Sequence, residues 1–195
     1  MIKAIIFDCF GVLAQGTLGH FLSLVPPQMR QTVRDINRSA DYGFISHDEY
    51  LRQMGEVTET SPEYIESYNA RRQIRSPQLE VFVRSLRVHY KTALLTNAGV
   101  GIIERLFTDD ELSSMFDVVV RSSDIGDVKP NPTIFEYAVR QLGVAPEEAV
   151  MIDDLLENIE GATAAGLSGI VFEGSLATLI DDLQRIGVTS VVDEK

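Results

Sequence analysis

Short apolar runs separated by amphipathic stretches set the rhythm of this chain. Residues 3–7 (KAIIF), 91–95 (KTALL), 118–120 (VVV) and 149–152 (AVMI) are each too short for a helix and sit between turn signals. They read as strands buried on both faces. Residues 169–172 (GIVF) supply a fifth after a glycine-containing turn. Helical patterns fill the intervals at residues 101–107, 132–142 (PTIFEYAVRQL), 155–165 and 176–186, the last with Ser175 placed as its N-cap. Strand–helix alternation of this kind predicts an α/β fold, a doubly wound, mostly parallel sheet with right-handed crossovers.

Residues 14–75 break the rhythm. They hold no strand pattern but three helical stretches, at 26–39, 46–54 and 62–75. Ser46 followed by Glu49 fits a capping box, and Ser61-Pro62 fits an N-cap with proline at the first helical position. A helical insertion after the first strand sits over the carboxyl edge of the sheet, where ligands bind in such folds. The expected organisation is therefore an α/β core from residues 1–13 and 76–195, with 14–75 as a helical cap.

Composition narrows the partners. Of 195 residues, 45% are apolar and 24% charged, the balance of a globular chain. A net charge of −12 argues against nonspecific binding of nucleic acid or anionic membrane, because no basic stripe is available to displace counterions, and neither is expected as a partner. No apolar stretch approaches the roughly 20 residues of a membrane span. The opening MIKAIIFD is too short for a signal-peptide core. A single cysteine, Cys9, forms no internal disulfide and suits a reducing, cytoplasmic setting. Strand alternation turns Cys9 away from Asp8, so it reads as a small buried apolar residue.

Four predicted strand ends carry polar groups. Asp8 follows the first strand, Thr96-Asn97 the second, and Asp153-Asp154 the fourth, while Lys129 lies in the loop after the third. A parallel sheet brings neighbouring strand ends within steps of about 5 Å, so these distant residues converge in one crevice. Clustered acids are costly to bury, and a divalent cation is the natural compensation.

The segments IIFDCFGVL, LLTNAG, VKPNPTIFEYAVRQLGV and MIDDLLENIEGATAAGL resemble, in order, the four motifs of the haloacid dehalogenase-like (HAD) hydrolase superfamily. The resemblance covers nearly all of residues 1–173 and implies a Rossmann-like core with a small helical cap. It implies Asp8 as a nucleophile that forms an aspartyl-phosphate, splitting one hard hydrolysis into two steps. Thr96 and the backbone amide of Asn97 would donate to phosphate oxygens, and Lys129 would pair with nucleophile and phosphate. Asp8, the backbone carbonyl of Phe10, Asp153 and Asp154 would surround Mg2+, with Asp154 the direct ligand and Asp153 on a neighbouring position. Asn158 falls where relatives often carry a further acid. The implied substrate is a small phosphorylated metabolite.

One position departs from the pattern. Phosphatases of this superfamily carry a second Asp two residues after the nucleophile, to protonate the leaving group and then activate water; here that residue is Phe10. Such help is worth roughly 10²–10⁴ in rate. A magnesium-dependent phosphatase remains the leading expectation, restricted to good leaving groups or using another acid, with His20 and His47 as candidates and a surface position the plainer reading of each. A metal-independent 2-haloacid dehalogenase is the alternative, since that branch carries an aromatic there and halide departure needs no proton; a catalytically weak binding protein is the third. Arg71, Arg72 and Arg75 form a basic cluster read as the solvated face of the last inserted helix.

Overall fold

In the computed structural model, which describes residues 1–189, five parallel strands lie in the order β3-β2-β1-β4-β5. They are β1 (Ala4–Phe7), β2 (Lys91–Thr96), β3 (Val118–Arg121), β4 (Ala149–Asp153) and β5 (Ser168–Val171). Phe7 stands level with Leu94 on one side and Ile152 on the other, so the central strand and its neighbours end at one rim.

Each central strand sends alternate residues to opposite faces, and each face has its own apolar layer. Ile5, Phe7, Leu94, Val150 and Ile152 pack with α5 (Pro77–Leu86), α6 (Ile102–Leu106), α7 (Asp109–Met115) and α11 (Leu176–Arg185). Ala4, Ile6, Ala93, Leu95 and Met151 pack on the other side with α9 (Pro132–Leu142) and α10 (Leu156–Ala164). The unbroken apolar runs follow from this double coverage. A short α8 (Ser122–Ile125) leads into the loop that carries Lys129.

The inserted segment holds four α-helices where three were expected: α1 (Leu18–Leu24), α2 (Arg30–Asp41), α3 (His47–Thr58) and α4 (Pro62–Arg72), with a 3-10 turn at Pro27–Met29. Phe21, Val33, Ile36, Leu51, Met54 and Ile65 form a third apolar cluster separate from the two sheet layers. Ser46 Oγ accepts from the Glu49 amide, but the Glu49 carboxylate turns to Arg52 and Gln53, so the expected capping box is half formed. Ser61 caps α4 as expected, and Ser175 caps α11.

Helix α4 stops at Arg72, short of the expected 75, because the chain there returns to the core. The Gln15 amide donates to the Ile74 carbonyl, the Ser76 amide donates to the Leu13 carbonyl, and Ala14 bridges Arg75 antiparallel. The two connections between insertion and core are thus tied side by side. Arg75 accordingly leaves the basic cluster. Its guanidinium bonds Glu80 and Glu111 at 2.7 Å each and lies 4.4 Å from the Phe107 ring centroid. Arg71 and Arg72 remain exposed on α4, as expected.

Candidate active site

The common rim gathers the polar groups. Asp8 is the first residue beyond β1, while Thr96 and Asp153 are the last residues of β2 and β4 on either side. Lys129 reaches in between them. Its ammonium donates to Asp8 Oδ1 and to Asp153 Oδ2, both at 2.6 Å, with the lysine side chain only 1% exposed. The Asn97 side chain holds that lysine's backbone from both directions. Its Nδ2 donates to the Lys129 carbonyl at 3.0 Å, and its Oδ1 accepts from the Lys129 amide at 2.9 Å.

The adjacent aspartates divide their tasks. Both Asp153 oxygens are engaged: Lys129, the Asn158 side chain at 2.9 and 3.0 Å, and the Leu155 amide at 2.9 Å all donate to them. Asp154 Oδ1 is buried with no hydrogen-bond partner. Asp8, Asp153 and Asp154 each offer an oxygen within 4.8 Å of the others. Gly11 makes room for this arrangement. It sits at φ 96°, and a Cβ there would lie 2.2 Å from the Asp154 carboxyl carbon, so the backbone beside Phe10 closes directly onto Asp154.

The charges are unbalanced. Burial pushes the Asp8 carboxyl up to about 7; Asp153 adds to the rise and Lys129 opposes it. Burial and then Asp153 raise Asp154 as well. Burial disfavours the Lys129 ammonium, yet Asp8 and Asp153 outweigh it and its pKa moves upward, so the lysine stays charged. Three carboxylates against one ammonium leave negative charge in excess. An all-oxygen donor set with one buried oxygen unsatisfied fits a hard divalent cation. Thr96 Oγ1, at the same rim, is a second buried side-chain oxygen without a partner, a hydroxyl able to donate or accept.

These groups open into a cavity of about 500 Å³ lined by Asp8, Phe10, Gly11, Lys129 and Asp154 from the core and by residues of α2, α3 and α4 from the insertion. Phe10 lines it beside Asp8, as strand alternation predicts, so a ring occupies the position where the family resemblance led to the expectation of an acid. His47 lines the cavity, half-buried, in contrast to the surface position expected of it. His20 does not line it; it is exposed and bonds Ser23. Cys9 is fully buried in the sheet layer, where burial holds its thiol well above the usual range.

Two residues escaped the sequence reading. Asp41, at the end of α2, lines the cavity, and burial lifts its carboxyl to about 7. Ser122 Oγ donates to the Asp41 carbonyl at 2.6 Å and accepts from the Ala98 amide at 3.0 Å, linking the insertion to the loop after Thr96. The spacing of Asn37 and Asp41, i and i+4 on one helix, was the available signal, but nothing local distinguishes it from an ordinary surface pair.

A buried Asp8–Lys129 pair, two buried side-chain oxygens without partners and a parallel sheet ending beneath them form a polar site on an α/β fold. The chain belongs to the haloacid dehalogenase-like hydrolase family, whose model matches residues 2–166. A phosphoserine phosphatase from Thermus thermophilus is 32% identical over 126 residues, 63% of this chain and 51% of that protein. A glyceraldehyde 3-phosphate phosphatase from Methanothermobacter thermautotrophicus is 38% identical over 86 residues, 36% of this chain and 38% of that protein. The matches thus span about half or less of those relatives. A HAD family enzyme from Bacteroides thetaiotaomicron, solved with magnesium and inorganic phosphate, superposes at TM-score 0.76 with 19% identity over 92% of this chain and 99% of its own. A 2-haloacid dehalogenase from Pseudomonas syringae gives 0.60 with 22% identity over 90% of this chain and 89% of its own.

Proposed function

We propose that this protein is a magnesium-dependent phosphatase that cleaves a small phosphorylated metabolite through an aspartyl-phosphate on Asp8. The observation that carries this reading is the pair of buried orphans, Thr96 Oγ1 and Asp154 Oδ1, at one rim with the Asp8–Lys129 pair. One satisfies an oxyanion and the other a cation. A dehalogenase would have no use for the second, since it needs no metal.

In this mechanism an Asp8 oxygen attacks phosphorus and the bond to the leaving alcohol breaks. Lys129 and Thr96 meet negative charge developing on the phosphoryl oxygens. Water then attacks the aspartyl-phosphate and regenerates Asp8. Asp8, Asp154 and the Phe10 carbonyl would hold Mg2+, which neutralises charge on nucleophile and phosphate when bound. Asp153 keeps Lys129 and the following turn in place. Phe10 offers no proton, so alcohols that leave readily as anions are favoured. Residues 14–75 act as the cap over a core of 1–13 and 76–195.

The test is hydrolysis of a phenolic phosphate ester with magnesium and with chelator. Magnesium-dependent turnover that Asp8→Asn abolishes supports the reading. Turnover that survives Asp8→Asn, or its absence in the wild type, overturns it. Halide release from a 2-haloacid in chelator would favour the dehalogenase instead.

A further inference from the structure

The core wall of the cavity accounts for the phosphate end of a substrate; the insertion supplies the wall that meets the rest. That wall is made by Asn37, Asp41, His47, Tyr50, Asn69 and Gln73. It offers a carboxylate, three carboxamides and a phenol. Among the described residues no arginine lines the cavity, and its one lysine, Lys129, is committed to Asp8 and Asp153. His47 supplies no dependable charge, because burial and then Arg105 lower its pKa. A second anionic group on a substrate would therefore meet no cation there and would face Asp41.

The position of Asp41 is well determined. Asn37 Nδ2 donates to its Oδ2 at 2.8 Å, and Ser122 Oγ holds its carbonyl at 2.6 Å. The chain on both sides presses on the core. A Cβ at Gly43 would lie 2.5 Å from the Ser123 carbonyl oxygen, and one at Gly99 would lie 3.2 Å from Ala40 Cβ. The carboxylate is thus presented into the cavity from a docked helix end, with acceptor capacity beyond its bond to Asn37.

We propose that this cavity selects phosphate monoesters of uncharged or cationic alcohols rich in hydroxyl or amine donors, and discriminates against esters bearing a second carboxylate or phosphate, with Asp41 as the residue that reads the alcohol. The proposal rests on the phosphatase reading above. The carboxamides and the phenol donate as well as accept, so Asp41 is what discriminates: a hydroxyl or amine donates to it, whereas an anion beside it is left without a cation and is repelled.

The experiment, run at about pH 8.5 so that Asp41, lifted by burial to about 7, is ionised, compares glycerol 1-phosphate, phosphoethanolamine and 2-phosphoglycolate as substrates with magnesium, and as ligands of the Asp8→Asn variant by calorimetry, where no bond breaks and leaving-group differences vanish. p-Nitrophenyl phosphate reports turnover as such. The hydroxyl or the amine ester should exceed 2-phosphoglycolate at least about tenfold in kcat/KM and in affinity, the worth of one charge-assisted hydrogen bond. Whichever of the two leads names the donor. Asp41→Arg should bring 2-phosphoglycolate level or ahead. Asp41→Asn, which keeps the shape should the arginine variant not fold, should narrow the gap. Equal or better handling of 2-phosphoglycolate by the wild type, or an unchanged ratio in Asp41→Asn, overturns the proposal. If p-nitrophenyl phosphate is not hydrolysed, the phosphatase reading fails by itself, and the affinity ranking judges the pocket.

Discussion

Asp153 and Asp154 are neighbours of the same chemical type, yet their substitution by asparagine should have opposite consequences. Asp153 receives Lys129 at 2.6 Å, the Leu155 amide at 2.9 Å and Asn158 at 2.9 and 3.0 Å, and is fully buried. An asparagine there turns an NH2 group toward either the Lys129 ammonium or the donors on its other side, and leaves that buried cation with Asp8 alone. Breaking a buried charge pair from one side costs about 3–5 kcal/mol. For a chain of this size that is a fall in Tm of roughly 6–20 °C. Asp154 Oδ1 has no partner to lose, and removing its charge relieves repulsion from Asp153, so Asp154→Asn should change metal-free stability by less than about 1 kcal/mol. Adding magnesium should then raise the Tm of wild type and not that of Asp154→Asn. Urea and thermal denaturation of the three proteins, in chelator and in magnesium, make the comparison. Equal destabilisation by both variants in chelator, or a full magnesium response in Asp154→Asn, would refute the division of labour.

In chelator, the wild type should lose stability as pH rises from about 4 to about 7. The folded chain holds a proton on Asp8 up to about 7, whereas the unfolded chain has released it near the ordinary value of 3.8, so the unfolded state binds fewer protons across that window. Asp8 contributes at most about 1.4 kcal/mol per pH unit to the slope, Asp41 adding its own share over the same window, and Tm against pH should be flatter in Asp8→Asn; parallel curves contradict it. Phe10→Asp should raise hydrolysis of alkyl esters more than of phenolic ones, by about tenfold or more, as expected if a missing proton donor limits the rate; equal gains would mean it does not. Gly11→Ala places a Cβ 2.2 Å from the Asp154 carboxyl at a φ of 96° and should abolish the magnesium-induced rise in Tm, read by the same melts. Ser122→Ala cuts the hydroxyl bridge between the Asp41 carbonyl and the Ala98 amide, and should raise KM several-fold with little change in kcat.

The sequence by itself determined the parallel sheet and the convergence of Asp8, Thr96, Lys129, Asp153 and Asp154. Apolar runs such as AIIF and AVMI, too short for helices, read as doubly covered strands, and neighbouring parallel strands bring Asp8, Thr96 and Asp153 to one rim, whereas Lys129 arrives from the loop beyond α8 and is held there by Asn97, Asp8 and Asp153. The resemblance to the family marked Phe10 as a departure from its pattern, and period-two alternation already placed that side chain beside Asp8. Tertiary structure decided what distance and burial control. Which of two adjacent aspartates is saturated depends on where Lys129 and Asn158 arrive, from 24 residues before and 5 residues after Asp153 in the chain. Arg75 left the predicted helix because its partner Glu111 lies 36 residues away, beyond any helical repeat. Asp41 was invisible for the same reason: an aspartate ending an amphipathic helix looks solvated until the insertion folds back and buries it over the rim. Periodicity reports which face of an element is covered, and only the assembled chain reports by what.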